Sequence, residues 1–371
     1  MMEPNGSLFT RVLKAAGRVL AWPFARLWAW YAKRGWITQA VIGVCAIGLV
    51  ALYGYFVWVT QVWTNFNPDY PDAYHFEKRN ISAGEQVGAD AGGTAATAAP
   101  RSCGRSAIAD VSADLTDFNV NQNAWISSMI LYKLGFFGLS WDNTPFLDNK
   151  ASFQRGINQA IRRTTTELAD NLGRLRGTSQ VDSDLQSARG NMQFDEYTWY
   201  FGLRPFGPKT PTPSYYRSAI KSLRAFNTRL EKCDAVFDAR ADNLIQFIDR
   251  IANDIGGTSA ILKDRAESNS AGWLDPRADD RFWFAYGQLY AYYGLLKATH
   301  EDFEDVLRTR NLDSLWNQME QQTRAALNIQ PFIISNGAEA GWIMPSHLIT
   351  MGFYILRVRS NLVEISNALS R

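Results

Sequence analysis

The sequence is poor in the side chains and motifs that most often carry enzyme chemistry. Its 371 residues include three histidines and three cysteines. We find no phosphate-binding loop, GxGxxG, HExxH, GxSxG or CxxC motif. These absences remove the motif support for nucleotide-dependent enzymes, serine hydrolases and zinc peptidases. The sequence therefore favours a non-enzymatic protein, and it predicts no cofactor and no metal site.

An excess of charge of one sign is also missing from most of the chain. The formal net charge is +2. Residues 1–35 hold six basic side chains and one acidic side chain, which leaves 32 basic and 35 acidic residues in the remainder. A nucleic-acid-binding domain usually carries a large basic patch. The composition therefore predicts no nucleic-acid partner.

Charge is absent altogether from one long apolar run, residues 36–59. As a helix this run is ~36 Å long, enough to cross a ~30 Å hydrocarbon core. Tryptophan crowds both ends, as in interfacial aromatic belts (Trp28, Trp30 and Trp36; Trp58 and Trp63). Bulky residues follow the run, whereas a cleaved signal peptide ends at small residues. We predict an uncleaved transmembrane anchor over 36–63.

The basic residues before this run predict its orientation. A cluster of Lys and Arg stays on the cytoplasmic side, so residues beyond about 64 should be exported. Arg11, Lys14 and Arg18 fall on one face of an amphipathic helical pattern within the cytoplasmic segment 1–35. Such a helix usually lies among anionic lipid headgroups. The other interpretation is a docking helix for a cytoplasmic protein.

The exported part divides into a linker and a folded domain. Residues 83–100 are mostly Ala, Gly and Thr and offer little surface to bury. We therefore predict a flexible linker over 64–106 and a helical domain over 107–371.

The domain is predicted to be mainly α. Apolar residues recur every seven positions from Tyr216 to Ile251, which predicts one long helix over about 214–255. A stripe over 150–176 is a plausible helical partner for it. Asn336-Gly337, between short apolar runs in 331–345, suggests one short β-hairpin.

The stretch FWFAYGQLYAYY (282–293) contains seven aromatic residues among twelve. Its uncharged run is too short for a second membrane span. Because it is apolar almost all round, we predict a helix buried on most sides. The alternative is a groove that binds a glycan or peptide, for which Trp283, Tyr290 and Trp199 are the candidate contact residues.

Two cysteines lie on the side predicted to be exported, Cys103 and Cys233. Oxidising compartments join such thiols. We predict a disulfide that pins the start of the domain to the long helix, rather than two free thiols.

Other polar residues each have a chemical and a plain interpretation. Asp195 and Glu196 could form an acid pair for glycan cleavage, but adjacency does not establish the required spacing across a cleft. His300 and Glu304 could share a metal ion, but no further ligand lies nearby in the sequence. Surface charge explains both pairs. The proline-rich segment 202–213 is a connector or an exposed docking loop.

Several segments resemble a known family. FDEYTWYFG, the run ending ARADNL, and the C-terminal region from YGLLKATHEDFEDVL to ISNGAEAGWIMPSHLI are similar to a proteobacterial family catalogued as domain of unknown function 2333. Its members are anchored in the inner membrane by one N-terminal span. The resemblance implies an inner-membrane protein with a periplasmic domain, and it supplies no catalytic residues.

Three functions are consistent with these patterns. The first is a non-enzymatic scaffold or adaptor for an envelope protein. The second is a cell-wall or polysaccharide-active enzyme, and the third is a module that binds peptidoglycan or lipid. A cleft lined by Trp283, Tyr290 and two carboxylates would favour the enzyme. A packed interior there, with an apolar surface patch elsewhere, would favour the adaptor.

Overall fold

The computed structural model forms two compact units, Met1–Trp58 and Val59–Arg371. Helices dominate both of them, which confirms the mainly α prediction. The described residues are 21–23, 25–76, 81–84, 86–87, 102–136, 138–144, 146–174, 180–268, 275–337 and 345–371.

Helix α1, Trp36–Gln61, has the predicted length and composition of a membrane span. Its mean hydropathy reaches 2.2 over 18 residues, and 6% of that window is buried. A core helix of a soluble protein would bury such a surface, because exposed apolar area costs free energy in water. The last residues of α1, from Val59 onwards, belong to the second unit.

The second unit contains ten further α-helices among the described residues, together with short 3-10 and π turns. In chain order they are α2 Ala107–Asp117, α3 Ile130–Leu134, α4 Asn149–Glu167, α5 Ser183–Met192, α6 Thr212–Glu231, α7 Ala241–Ser268, α8 Ala278–Asp302, α9 Glu304–Thr309, α10 Asp313–Leu327 and α11 His347–Leu369.

Two helix pairs form the centre of this unit, α4 with α8 and α7 with α11. The axes of α4 and α8 approach closely because glycines face the other helix at the crossing. A Cβ atom on Gly156 would overlap the carbonyl oxygen of Phe284, and one on Gly287 would overlap that of Phe153. Both glycines are therefore required by helix packing rather than by a turn.

The prediction of a single long helix over about 214–255 is wrong in one respect, because two helices occupy this region. Helix α6 ends at Glu231 and α7 begins at Ala241. Cys233 takes a left-handed conformation (φ 60°), and the amide of Asp234 donates to the carbonyl of Arg229, which closes the helix end. The segment predicted to pair with the long helix, 150–176, begins with α4. Helix α4 packs chiefly against α8.

The described residues contain two small antiparallel β-ribbons. Strands β1 (Gln86–Val87) and β2 (Ser102–Cys103) form the first, and β3 (Phe201–Leu203) and β4 (Phe206–Pro208) form the second. The hairpin predicted over 331–345 shows one bridge, between Asn336 and Ser346. Residues 338–344, which follow the predicted turn at Asn336-Gly337, lie outside the described residues.

The predicted linker over 64–106 differs from what the structure shows. Residues 63–76 pack on the helical unit, and β2 packs against α6. Thr64, for example, exchanges two hydrogen bonds of 3.0 Å with the side chain of Asn123. These residues carry Trp, Phe and Tyr side chains that water disfavours. The Ala- and Gly-rich centre, 88–101, lies outside the described residues.

Candidate functional site

The aromatic stretch lies in helix α8 and is largely buried, as predicted. Tyr290 is in the interior. Its ring stacks on Tyr70 with centroids 4.7 Å apart, and its hydroxyl donates to the carbonyl of Asn67 at 3.0 Å. Trp283 is half-buried and Trp199 lies next to the β3–β4 ribbon. The structure thus packs Tyr290 under the segment that follows α1, with 1% of the residue exposed.

Aromatic side chains that follow α1 cover this face of α8. The Trp63 ring lies 4.8 Å from Phe153 and 5.1 Å from Trp283, centroid to centroid. Phe66 stacks on Tyr290 at 5.6 Å. Aromatic pairs at these separations stabilise by about 0.5–1.5 kcal/mol beyond their burial. The end of α1 is therefore built into the core of the helical unit.

Lys150 fixes the last turn of α1. Its side chain is buried, with 4% of the residue exposed. The ammonium donates to the carbonyl oxygens of Val59 at 2.9 Å and Val62 at 2.7 Å. Carbonyls at a helix end have no partner within the helix, so this lysine satisfies groups that would otherwise be orphaned. Burial lowers the pKa of Lys150 to about 8.

An exposed apolar patch lies beside this helix end. The side chain of Gln61, the last residue of α1, donates to the carbonyl of Phe146 at 2.9 Å. The Phe146 ring lies 6.1 Å from that of Phe332, which is 89% exposed. Ile333 is also exposed. We call Phe146, Phe332 and Ile333 the apolar patch. The loop before it exposes further large side chains (Leu134, Phe136 and Leu139).

A cluster of carboxylates lies below the loop that carries Phe146. One oxygen from each of Asp142, Asp148 and Asp280 lies within 4.8 Å of the other two. Asp142 accepts from the Tyr132 hydroxyl at 2.8 Å, and Asp280 accepts from Ser152 at 2.6 Å. Asp148 is fully buried, and neither of its carboxylate oxygens accepts a hydrogen bond from a described residue, while the Asp280 carboxylate lies within hydrogen-bonding reach of it.

The cluster opens into a cavity of about 370 Å³. Its lining is about half apolar and half polar, and the polar part carries both charges, from Asp142, Asp280, Arg155, Glu196 and others. The Arg155 guanidinium lies 4.0 Å from the Asp280 carboxylate. The charged groups could hold an ion or a polar ligand at the end of the cavity where the aspartates lie.

Burial dominates the electrostatics of these carboxylates. It raises the pKa of Asp148 to about 10, and the neighbouring charges of Asp280 and Asp279 act in the same direction. Burial also raises the pKa of Asp279 to about 7, with a further contribution from Asp280. The ionised forms of Asp148 and Asp279 are thus disfavoured by burial and by the carboxylates beside them.

The acid pair predicted from sequence does not face one cleft. Glu196 accepts from Asn158 at 3.0 Å and pairs with Arg162 at 3.0 Å. Asp195 instead accepts from the Thr198 hydroxyl at 2.7 Å, within its own turn. These contacts give each carboxylate a structural partner.

His300 and Glu304 also turn to different partners. The His300 ring faces Asp313 at 3.3 Å and Glu320 at 3.7 Å. Burial lowers the pKa of His300, but hydrogen bonds to Glu320 and Asp313 outweigh it, so the net shift is upward. Glu304 pairs with Arg308 at 3.5 Å.

The predicted disulfide is present between Cys103 and Cys233, whose Cα atoms are 5.3 Å apart. It joins β2 to the turn after α6. Cys45, in α1, is a free cysteine. The three basic residues predicted to contact lipid headgroups, Arg11, Lys14 and Arg18, lie outside the described residues.

The chain matches a family model described as an uncharacterized protein conserved in bacteria, DUF2333, over residues 115–272 and 262–371. The chain belongs to this family. No curated protein and no solved structure matches it. The ranges that match the DUF2333 family include Lys150, the apolar patch and the carboxylate cluster. Helix α1 and Cys103 precede these ranges.

Sequence reasoning missed Lys150 and the three clustered aspartates. The signals were present but ordinary: Asp142 and Asp148 flank a short proline-containing loop, and Asp280 follows another aspartate at the start of α8. Acidic residues are common in first turns of helices, where they complement the helix dipole. Only the tertiary fold brings these three together.

Proposed function

We propose that this protein is a non-enzymatic scaffold or adaptor, anchored in the bacterial inner membrane by α1, with its helical unit in the periplasm. The observation that carries this proposal is the way the end of α1 is built into the helical unit by Lys150, Trp63 and Phe66. Such a unit stays at the membrane surface and can hold a partner at a defined distance from it.

The apolar patch supports this position. Phe146 is bonded through its carbonyl to the last residue of α1, so the patch lies where the span would leave the bilayer. Exposed apolar side chains at that level are stabilised in the membrane interface. We therefore propose that the apolar patch rests in the outer interface of the inner membrane.

The compartment is supported by two separate features. The disulfide between Cys103 and Cys233 suits an oxidising space such as the periplasm. The excess of basic residues before α1 suits an N-terminus that stays in the cytoplasm. There Arg11, Lys14 and Arg18 would bind anionic lipid headgroups. Binding of a 1–34 peptide to anionic vesicles should weaken when all three are replaced by glutamate, and binding indifferent to lipid charge would indicate a protein partner instead.

The packing of the aromatic stretch favours the adaptor over the enzyme. Tyr290 is enclosed by Phe66 and Tyr70, and so lines no open substrate cleft together with Trp283. Asp195 and Glu196 are occupied by separate structural partners. We therefore favour the adaptor over the enzyme.

We place the contact with an envelope protein at the β3–β4 ribbon. Tyr200, Phe201 and Phe206 are exposed there, and Phe206 is 80% exposed. Exposed aromatic side chains are enriched at protein interfaces because they bury a large area at low entropic cost. The proline-rich segment 202–213 thus acts as a docking loop as well as a connector.

Photo-crosslinking in the native membrane tests both contacts. A photoreactive phenylalanine analogue is placed separately at Phe332, at Phe206 and, as a matched control, at Phe353, which is 54% exposed on α11. We expect lipid adducts at Phe332 and one reproducible protein adduct at Phe206. Position 353 should give neither above background. Absence of a specific protein adduct at Phe206 would contradict the adaptor role, and absence of lipid adducts at Phe332 would contradict the membrane position.

A further inference from the structure

The carboxylate of Asp148 has an unusual environment for its position. Asp148 is the residue before α4, where an aspartate normally accepts hydrogen bonds from the first backbone amides of the helix. It forms no such bond. The side chain instead turns inward, fully buried, toward Asp142 and Asp280, and neither oxygen accepts a hydrogen bond from a described residue. A buried polar group without a partner costs about 1–3 kcal/mol, and a charged one more.

The spacing of the three carboxylates matches the coordination sphere of one cation. Ca²⁺ binds carboxylate oxygens at ~2.3–2.6 Å, so two ligands of one ion lie at most about 5 Å apart. The oxygens of Asp142, Asp148 and Asp280 all fall within 4.8 Å of one another. Mg²⁺ demands near-ideal octahedral geometry at ~2.0–2.1 Å and usually keeps several waters, whereas Ca²⁺ accepts the irregular arrangement that carboxylates from three separate elements offer.

The surrounding charges leave room for a cation. The Arg155 guanidinium is 4.0 Å from Asp280, but it donates its hydrogen bonds to the Tyr197 hydroxyl (2.8 Å) and to Ser152 (2.9 Å). Arg277 and Arg281 line the same cavity and form no salt bridge with these aspartates within the described residues. One partly engaged arginine faces the three aspartates, so a bound cation would supply the positive charge that three adjacent carboxylates need in order to be ionised together.

We propose that Asp142, Asp148 and Asp280 form a binding site for one hard divalent cation, with Ca²⁺ as the best match. The ion would be a partner for the buried carboxylate oxygens of Asp148. It would also join three elements: the 3-10 turn Trp141–Asn143, the start of α4 and the first turn of α8. The loop between Asp142 and Asp148 carries Phe146. Cation binding would therefore hold this loop in place. The site does not depend on the proposed adaptor role.

Calorimetric titration of the full-length protein in detergent micelles tests this site. The protein is first treated with EDTA and dialysed, then titrated with CaCl₂ and, separately, with MgCl₂. We expect one saturable Ca²⁺ site per chain and Mg²⁺ binding at least tenfold weaker. D148N should weaken Ca²⁺ binding at least tenfold. The matched control D249N, at an exposed position on α7, should bind as the parent does.

Thermal unfolding separates a ligand role for Asp148 from a purely structural one. Ca²⁺ should raise the melting temperature of the parent and of D249N, but not that of D148N. In EDTA, D148N should be at least as stable as the parent, because the amide removes a buried, repelled carboxyl group. If D148N does not fold, D142N at the half-buried position gives the same titration test.

Three results would overturn the proposal: no saturable Ca²⁺ binding by the parent at millimolar concentration, parent-like affinity in the aspartate variants, or Mg²⁺ binding tighter than Ca²⁺ binding.

Discussion

Lys150 is the residue on which the attachment of α1 to the helical unit depends most. A buried lysine is rare unless its ammonium is paired, and here two backbone carbonyls take that role. The carbonyls of Val59 and Val62 gain the donors that a helix end lacks. One side chain thus connects the core of the domain to the helix that precedes it.

Replacing this lysine tests its contribution. K150M keeps most of the apolar stem and removes the ammonium, so it should orphan the two carbonyls and lower stability by about 1–3 kcal/mol. The measurement is the melting temperature of the full-length protein in detergent. K221M, at an exposed position on α6, should leave the melting temperature within error of the parent. Equal effects of the two substitutions would mean that the hydrogen bonds from the Lys150 ammonium contribute nothing measurable to stability.

The disulfide also acts at the residue scale. It closes a loop with a sequence separation of 130 residues, and cross-links of this size stabilise by about 2–5 kcal/mol, chiefly by restricting the unfolded chain. C233S should therefore lower the melting temperature, and reductant should lower that of the parent but not that of the variant. Alkylation of unreduced protein from the native host should modify Cys45 alone. Alkylation of all three cysteines would contradict the bond.

At the scale of elements, the crossing of α4 and α8 depends on two glycines that lie within helices and not in turns. Gly156 and Gly287 each face a backbone carbonyl of the other helix, and a methyl group at either position would overlap it. The aromatic stretch can be buried on most sides because its helix approaches α4 so closely. The two glycines thus permit both the close backbone contact and the burial of these aromatic rings.

Alanine substitutions on two helices test this crossing. G287A inserts a methyl group against the carbonyl of Phe153, and overpacking of this kind costs about 1–3 kcal/mol, so its melting temperature should fall. Gly257, in α7, has open space at its Cβ position, and G257A should be neutral or stabilising by up to about 1 kcal/mol because alanine favours the helix. Destabilisation by G257A alone would invert the expected order.

Some elements could be predicted from the sequence and others could not, for identifiable reasons. Helix α1 and the buried face of α8 follow from long uncharged runs, whose burial or membrane insertion is decided locally. The break between α6 and α7 escaped prediction because the left-handed residue there is Cys233, whereas glycine is the usual signal. The cluster of Asp142, Asp148 and Asp280 depends on contacts between distant segments, which periodicity does not report.

At the scale of the whole molecule, the main difference from expectation concerns the segment after α1. Composition marks residues 83–100 as poor in core-forming side chains, but residues 63–76 carry Trp63, Phe66 and Tyr70, and these bury themselves against α8. The helical unit therefore begins at the end of α1. If the adaptor proposal holds, this packing shortens the flexible tether that composition predicts between the span and the domain.

The position of the two chain ends across the membrane tests this account most directly. A reporter that is active only outside the cytoplasm is fused after Arg371 in one version of the full-length protein and before Met1 in another. We predict activity from the C-terminal fusion and none from the N-terminal fusion, because the basic residues before α1 hold that end in the cytoplasm. Activity from the N-terminal fusion alone, or an N-terminus cleaved near residue 60, would contradict the proposed anchoring.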